Sequence, residues 1–227
     1  TAYHRHNCDA AGPAILRRIE AGESCALVTD AGTPAVSDPG EELVALCAAA
    51  GVEVISLPGP CALTVALSVS GLPTGRFTFE GFLPLNKKNR RARLEGLAAE
   101  ERPMIFYEAP HKLRATLEDL GAALGPDRPL TVCRELTKLH EEVLRTTIAG
   151  AAARFESQEP RGEFVLVAAG RPPEAEEGDE DGAMARVEEL RRGGMALKAA
   201  AAQAAEEFGV KKRGLYNRAL REINGDE

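Results

Sequence analysis

Ala26-Leu27-Val28-Thr29-Asp30-Ala31-Gly32-Thr33-Pro34-Ala35-Val36-Ser37-Asp38-Pro39-Gly40 is a short apolar run that opens into a loop of small and turn-forming residues. Cys25 to Thr29 read as a buried strand, Asp30 to Gly40 as the loop at its carboxyl end, and Glu41-Glu42-Leu43-Val44-Ala45-Leu46 as the start of a helix. The same order recurs at once. Val52 to Leu57 read as a strand, Pro58-Gly59-Pro60-Cys61-Ala62 as a turn, and Leu63 to Ser70 as an apolar helix. Two consecutive β-loop-α units place both loops on one edge of a parallel sheet, where ligands meet the backbone N–H groups of helix starts. Ordinary strand-to-helix turns would use the same residue types.

Working outward, Tyr3-His4-Arg5-His6-Asn7 is polar, and Pro13 to Ala21 gives a helical pattern that stops at Gly22. Gly71-Leu72-Pro73-Thr74-Gly75 reads as a junction between domains. Beyond it lies Phe77 to Pro84, and strands are expected over Met104 to Glu108, Leu130 to Cys133, Glu142 to Ile148 and Phe164 to Ala169. Helices are expected over Lys87 to Ala99, His111 to Leu124 and Ala149 to Glu156. Residues 171–182 carry six acids against one Arg without apolar periodicity and read as a solvated linker. Three short helices follow, over Met184 to Arg191, Leu197 to Phe208 and Lys211 to Ile223. The last two are joined by Gly209-Val210 in the manner of a helix-turn-helix.

A chain of 227 residues, 44% hydrophobic, can bury a sizeable core. It contains no apolar run of spanning length and no signal sequence, which argues against a membrane partner. Five cysteines without a CxxC pair fit a reducing cytoplasm better than a disulfide framework, and His4 and His6 lack companions for a metal site. The net charge of −7 is unevenly spread: Asn86 to Arg93 (NKKNRRAR) holds five basic residues and no acid. Residues 183–224 hold nine Lys or Arg against five acids, so binding to a polyanion stays open. There is no GxGxxG fingerprint, Walker A loop, GxSxG elbow or HExxH helix.

The ordered motifs DAGTPAVSDPG (30–40), LPGPCA (57–62), FEGFLP (79–84), FYEAPHKL (106–113) and CRELTK (133–138) closely resemble one family. It is the bacterial small-subunit ribosomal RNA 2′-O-methyltransferase I family, which modifies a cytidine ribose, within the tetrapyrrole-methylase superfamily. The resemblance extends to KAAAAQAAEEFGVKKRGLYNRAL (198–220) at the far end. It implies an α/β, two-domain tetrapyrrole-methylase-like fold, truncated in its N-terminal part, plus a small C-terminal all-α helix-turn-helix-like domain. The implied domains are 1–73 (incomplete at its start), 74–170, an acidic linker at 171–182, and 183–227. Family members begin with a further strand-rich segment, and this sequence starts after it.

The implied cofactor is S-adenosylmethionine, the implied partner small-subunit ribosomal RNA or the assembled subunit, and the implied assembly a homodimer. By resemblance Asp30, Ala31, Gly32 and Thr33 line one side of the cofactor, Cys61 and Ala62 the other, with Ala35, Tyr107 and Leu136 as further contacts. No metal is called for. A ribose hydroxyl is a very weak acid, so Glu135, Glu108, His111 and a Lys138 of lowered pKa are candidate bases. Lys87, Lys88, Arg90, Arg91 and Arg93, with Lys211, Lys212 and Arg213, are the candidate RNA contacts. Two rival functions share parts of this pattern: a small-molecule tetrapyrrole methylase, and a non-enzymatic nucleic-acid-binding regulator.

Overall fold

The computed structural model describes residues 1–172 and 179–224. The described residues fall into two compact units, divided after Arg171.

The first unit opens with α1 (Cys8–Glu20), α2 (Glu41–Ala49) and α3 (Ala62–Ser70). It continues with β1 (Thr78–Phe82), α4 (Lys87–Leu97), β2 (Met104–Glu108), α5 (Leu113–Leu124), β3 (Pro129–Arg134), β4 (Glu142–Thr147), α6 (Ile148–Ser157) and β5 (Phe164–Ala168). The sheet order is β1-β2-β5-β3-β4, with β1 and β2 parallel and every other pair antiparallel.

Alternation along the central strands sends side chains to two layers. Met104, Phe106, Leu130, Val132, Phe164, Leu166 and Ala168 meet α4, α5 and α6 on one face. Ile105, Cys133, Val165 and Val167 meet Leu63, Ala66 and Leu67 of α3 on the other. All of β5 is buried, which is why Phe164-Val165-Leu166-Val167-Ala168 reads as an unbroken apolar run. Local signals set the helix ends. The Asn86 side chain accepts from the N–H groups of Lys88 (3.0 Å) and Asn89 (3.2 Å) to start α4, and Gly71 stops α3 at φ +78°.

Two expected strands do not form. Cys25 to Thr29 and Val52 to Leu57 carry no strand pairing, and Val28 and Leu57 are each 81% exposed. A strand is stabilised by a hydrogen-bonded neighbour, and the paired strands among the described residues all come from 78–168. The parallel sheet expected from this region is therefore absent, although the helices after both runs form. Helix α1 also starts before Pro13 and runs through it.

The second unit contains α7 (Glu180–Arg192), α8 (Leu197–Glu207) and α9 (Lys212–Asn224) around an alanine-rich core of Ala183, Val187, Ala200, Ala201, Ala204 and Leu215. Small side chains let three short helices approach closely. Part of the expected linker, 173–178, lies outside the described residues. Its last three positions belong to α7 instead. Asp179 accepts the Gly182 N–H (2.8 Å), and Glu180 and Asp181 sit in the first turn, where negative charge meets the positive helix end. An acidic run that reads as solvated is thus also a helix start.

Candidate functional site

The two small-residue loops touch each other. Thr33 Oγ1 donates to the Pro60 carbonyl at 3.1 Å. A Cβ on Gly32, which sits at φ +80°, would lie 3.3 Å from that same oxygen, and one on Gly59 would lie 3.3 Å from Thr33 Oγ1. Glycine is what allows this approach. Inside the first loop, Thr29 Oγ1 accepts the Ala31 N–H (3.3 Å) and donates to Asp38 (3.2 Å), and Ala35 and Ser37 hold positive φ of 63° and 66°. The Asp30 side chain is exposed.

The second loop is held in place through α3. At its start, the Leu63 N–H donates to the Tyr107 hydroxyl at 3.0 Å. At its end, Thr131 Oγ1 donates to the Ser70 carbonyl (2.9 Å) and Arg145 Nε to the Val69 carbonyl (3.1 Å). Residues of β2, β3 and β4 thereby fix both ends of the helix that presents Cys61 and Ala62. Burial, then the neighbouring Cys61, pushes the Tyr107 phenol up to about 12, so it stays neutral and able to donate a hydrogen bond across the physiological range. Val36, Cys61, Tyr107 and Leu136 pack against one apolar cluster with α3, so the candidate cofactor residues from three separate motifs converge. Thr131 and Arg145 were not nominated from the sequence, because no local pattern shows which strand a helix will lie across.

Leu136 belongs to a third loop, 135–141, where Glu135 (φ 50°) and Thr137 (φ 66°) are again non-glycine residues in left-handed conformations. Among the described residues, these two and Ala35 and Ser37 are the non-glycine positions with positive φ. Backbone strain of this kind concentrates at ligand sites. Two candidate bases sit here, but their surroundings suit structure better than proton abstraction. The Glu135 carboxylate accepts the Glu163 N–H (2.9 Å) and Lys138 Nζ (3.1 Å), and these partners, the backbone N–H first, hold its pKa below the usual range. Lys138 Nζ also donates to Glu163 at 2.9 Å. Its pKa is raised by Glu163 and then Glu135, the reverse of the lowered value expected. Arg134 pairs with Glu142, its register partner on β4.

Glu108 faces the other way. Strand alternation turns Tyr107 toward α3 and Glu108 toward α5, where the residue is 4% exposed. It accepts the Ala109 N–H (2.8 Å) and the Thr116 hydroxyl, and Arg90 Nη2 donates to Thr116 Oγ1 at 2.8 Å. Arg90 Nε completes the network with Asp119 at 2.5 Å. Glu108 is therefore set apart from the two small-residue loops by the sheet, as a buried polar tie between β2, α5 and α4. Replacing Thr116 with Val should leave that carboxylate short of a donor and lower unfolding stability in urea by about 1–3 kcal/mol. S-Adenosylmethionine affinity should be unchanged; a matching loss of affinity would return Glu108 to the site. His111 lies exposed in the 3-10 turn Pro110–Lys112.

The basic run divides in two. Arg90 is committed to Asp119 and Thr116, Arg93 to the buried Glu80, and Arg91 forms an exposed pair with Glu95 at 2.8 Å. Lys87 and Lys88 are exposed in the first turn of α4. In the second unit, Lys211, Lys212 and Arg213 are exposed at the start of α9. A concavity lined by Tyr3, Ile15, Ile19, Cys25 and Leu27 includes none of the candidate cofactor residues. Among the described residues, no helix is long and apolar enough to cross a membrane.

Comparison with known proteins accounts for both units. Residues 3–152 match the family described as Tetrapyrrole (Corrin/Porphyrin) Methylases, and residues 176–223 match the RsmI C-terminal HTH domain. The methyltransferase CobJ shares the fold at a TM-score of 0.55, with 22% identity over 70% of each chain. Ribosomal RNA small subunit methyltransferase I of Synechocystis sp. is 47% identical over 99% of this chain and 81% of its own length. That of Escherichia coli O157:H7 is 44% identical over 96% of this chain and 77% of its own. Matches of this strength run through the small-residue loop motifs and on into the appended helices, so the chain belongs to the ribosomal RNA small subunit methyltransferase I family of tetrapyrrole methylases.

Proposed function

We propose that this chain is an S-adenosylmethionine-dependent methyltransferase acting on the 2′-hydroxyl of a cytidine ribose in small-subunit ribosomal RNA. The observation that carries the reading is likeness across both units to relatives of that name, since the appended helices match as well as the methylase part. We assign the cofactor to the meeting point of Asp30, Ala31, Gly32, Thr33 and Ala35 with Cys61, Ala62, Tyr107 and Leu136. Glycine-built close approach and backbone groups suit a flat adenine and a zwitterionic tail. Within the first unit, 1–73 would supply both loops and 74–170 the sheet behind them.

S-Adenosylmethionine brings an electrophilic methyl group on a good leaving group. The work left to the protein is alignment, which by itself accounts for large rate factors. Glu135 and Lys138 fit that picture as the clamp that fixes the loop carrying Leu136. Methyl transfer from labelled cofactor to small subunits, free small-subunit RNA and a porphyrin precursor, followed by nucleoside mass spectrometry, tests the function. Label in the porphyrin alone would transfer the assignment to small-molecule methylation.

For RNA we assign Lys87 and Lys88, and Lys211, Lys212 and Arg213. Three cations at the start of α9 oppose the helix dipole, an unfavourable placement that a bound phosphate would relieve. Arg90, Arg91 and Arg93 supply the field around them while serving their own partners. Replacing Lys87 and Lys88 with Gln should flatten the salt dependence of RNA binding by up to about 0.7 to 0.9 of a log unit per lost phosphate contact. An unaltered slope would show an ordinary solvated helix face. We also propose a cytoplasmic location, a reading supported by a ribosomal substrate and five cysteines without a disulfide. We further propose a homodimer, to be checked by sedimentation.

A further inference from the structure

Residues three apart on a regular strand face opposite sides of the sheet. Phe79 and Phe82 on β1 do not: both rings pack edge-on against Tyr107, with centroids 5.0 and 5.7 Å away. The cause is a bulge. The register with β2 slips between Phe79 and Gly81, and Gly81 adopts φ +60°, which turns Phe82 to the face that carries α3 and the cofactor loops. A Cβ on Gly81 would stand 3.6 Å from Ser37 Oγ, so the bulge lies against the first of those loops. The skipped residue, Glu80, is held by Arg93 of α4 with its carboxylate 3% exposed. The fold thus fixes the bulge with a left-handed glycine and an ion pair whose acidic side is buried. Phe79 is partly buried, whereas Phe82 is 56% exposed.

An aromatic ring aimed with this much structure and left half in water is built for a flat partner. Five and six residues further on, Lys87 and Lys88 stand exposed in the first turn of α4, oriented by the Asn86 cap. An aromatic face followed by two exposed cations is the pairing that single-stranded RNA presents in complement: a base to stack and a phosphate to neutralise. We propose that Phe82 is the stacking platform for an unpaired base of the RNA substrate, with the adjoining backbone on Lys87 and Lys88. This rests on the reading of RNA as substrate and adds the residue that receives a base.

The chain contains no tryptophan, so Phe82→Trp installs a single indole at the platform. A short single-stranded RNA oligonucleotide containing cytidine should quench its emission saturably, and S-adenosylmethionine alone should not. In methyl transfer to small subunits, Phe82→Ala should raise KM for RNA roughly 5- to 150-fold, the range spanned by base–aromatic stacking. Calorimetric affinity for S-adenosylmethionine should hold, and Phe82→Tyr should restore KM. Quenching by the cofactor, or a loss of cofactor affinity in the alanine variant, would give the ring to adenine and overturn the proposal. So would an unchanged KM in a variant whose circular dichroism shows it folded. If the unaltered chain methylates RNA and Phe82→Ala behaves like it, the platform alone fails. If the unaltered chain neither methylates nor binds RNA, the platform and the function beneath it fall together.

Discussion

Gly32→Val should cost the protein its S-adenosylmethionine affinity, by at least about 10- to 100-fold in calorimetry, while circular dichroism stays that of the parent. The backbone at this residue sits at φ +80°, which a β-branched side chain adopts at a cost of about 1–3 kcal/mol. The first carbon added already meets the Pro60 carbonyl at 3.3 Å, and the two γ carbons of valine have to fit beyond it. Relief comes from parting the two loops, which breaks the Thr33 to Pro60 hydrogen bond and opens the surface on which the cofactor would lie. Gly32 itself is exposed, and the apolar cluster beside the two loops is separate from the layer under α4, α5 and α6, so the fold should survive. Unchanged affinity in the folded variant would remove both loops from the assignment.

A chain ending at Arg171 should keep its cofactor affinity and lose much of its grip on RNA, with KM for the small subunit raised roughly 10- to 1,000-fold. Each unit has its own apolar core, and every residue assigned to the cofactor belongs to the first. What the second unit would contribute is tethering: contacts by Lys211, Lys212 and Arg213 raise the local concentration of the active site at its target. Unchanged methylation at limiting substrate would remove RNA docking from the helical unit. Lost cofactor binding would show instead that the three helices support the methylase fold.

The sequence was most legible where one segment contains its own reasons. Met104 to Glu108 and Phe164 to Ala168 are recognisable as buried strands from their apolar runs. It was least legible where a second segment decides. Cys25 to Thr29 and Val52 to Leu57 have strand composition, but strands are pair properties, and composition names no partner. The same holds at the site. Glu108 reads as a base beside Tyr107 until the pleat sends the two to opposite faces, and Lys138 reads as a base of lowered pKa until two carboxylates are found around it. The glycine inside FEGFLP was the one local sign that β1 breaks its alternation.

The position of β5 has a consequence for how the first unit comes into being. Among the described residues it is the last strand to be synthesised, yet it lies in the middle of the sheet and pairs with both β2 and β3. Until Phe164 to Ala168 emerges from the ribosome, β1 with β2 and β3 with β4 are two separate ribbons, each with an inner edge still open. Among the described residues no other strand pairs with both ribbons, so closure of the sheet is a late event that draws together residues more than 50 positions apart, a topology that makes folding slow. A nascent chain stalled short of that strand offers two unsatisfied edges to any passing neighbour, and is most exposed to misassembly at the moment it is nearly finished.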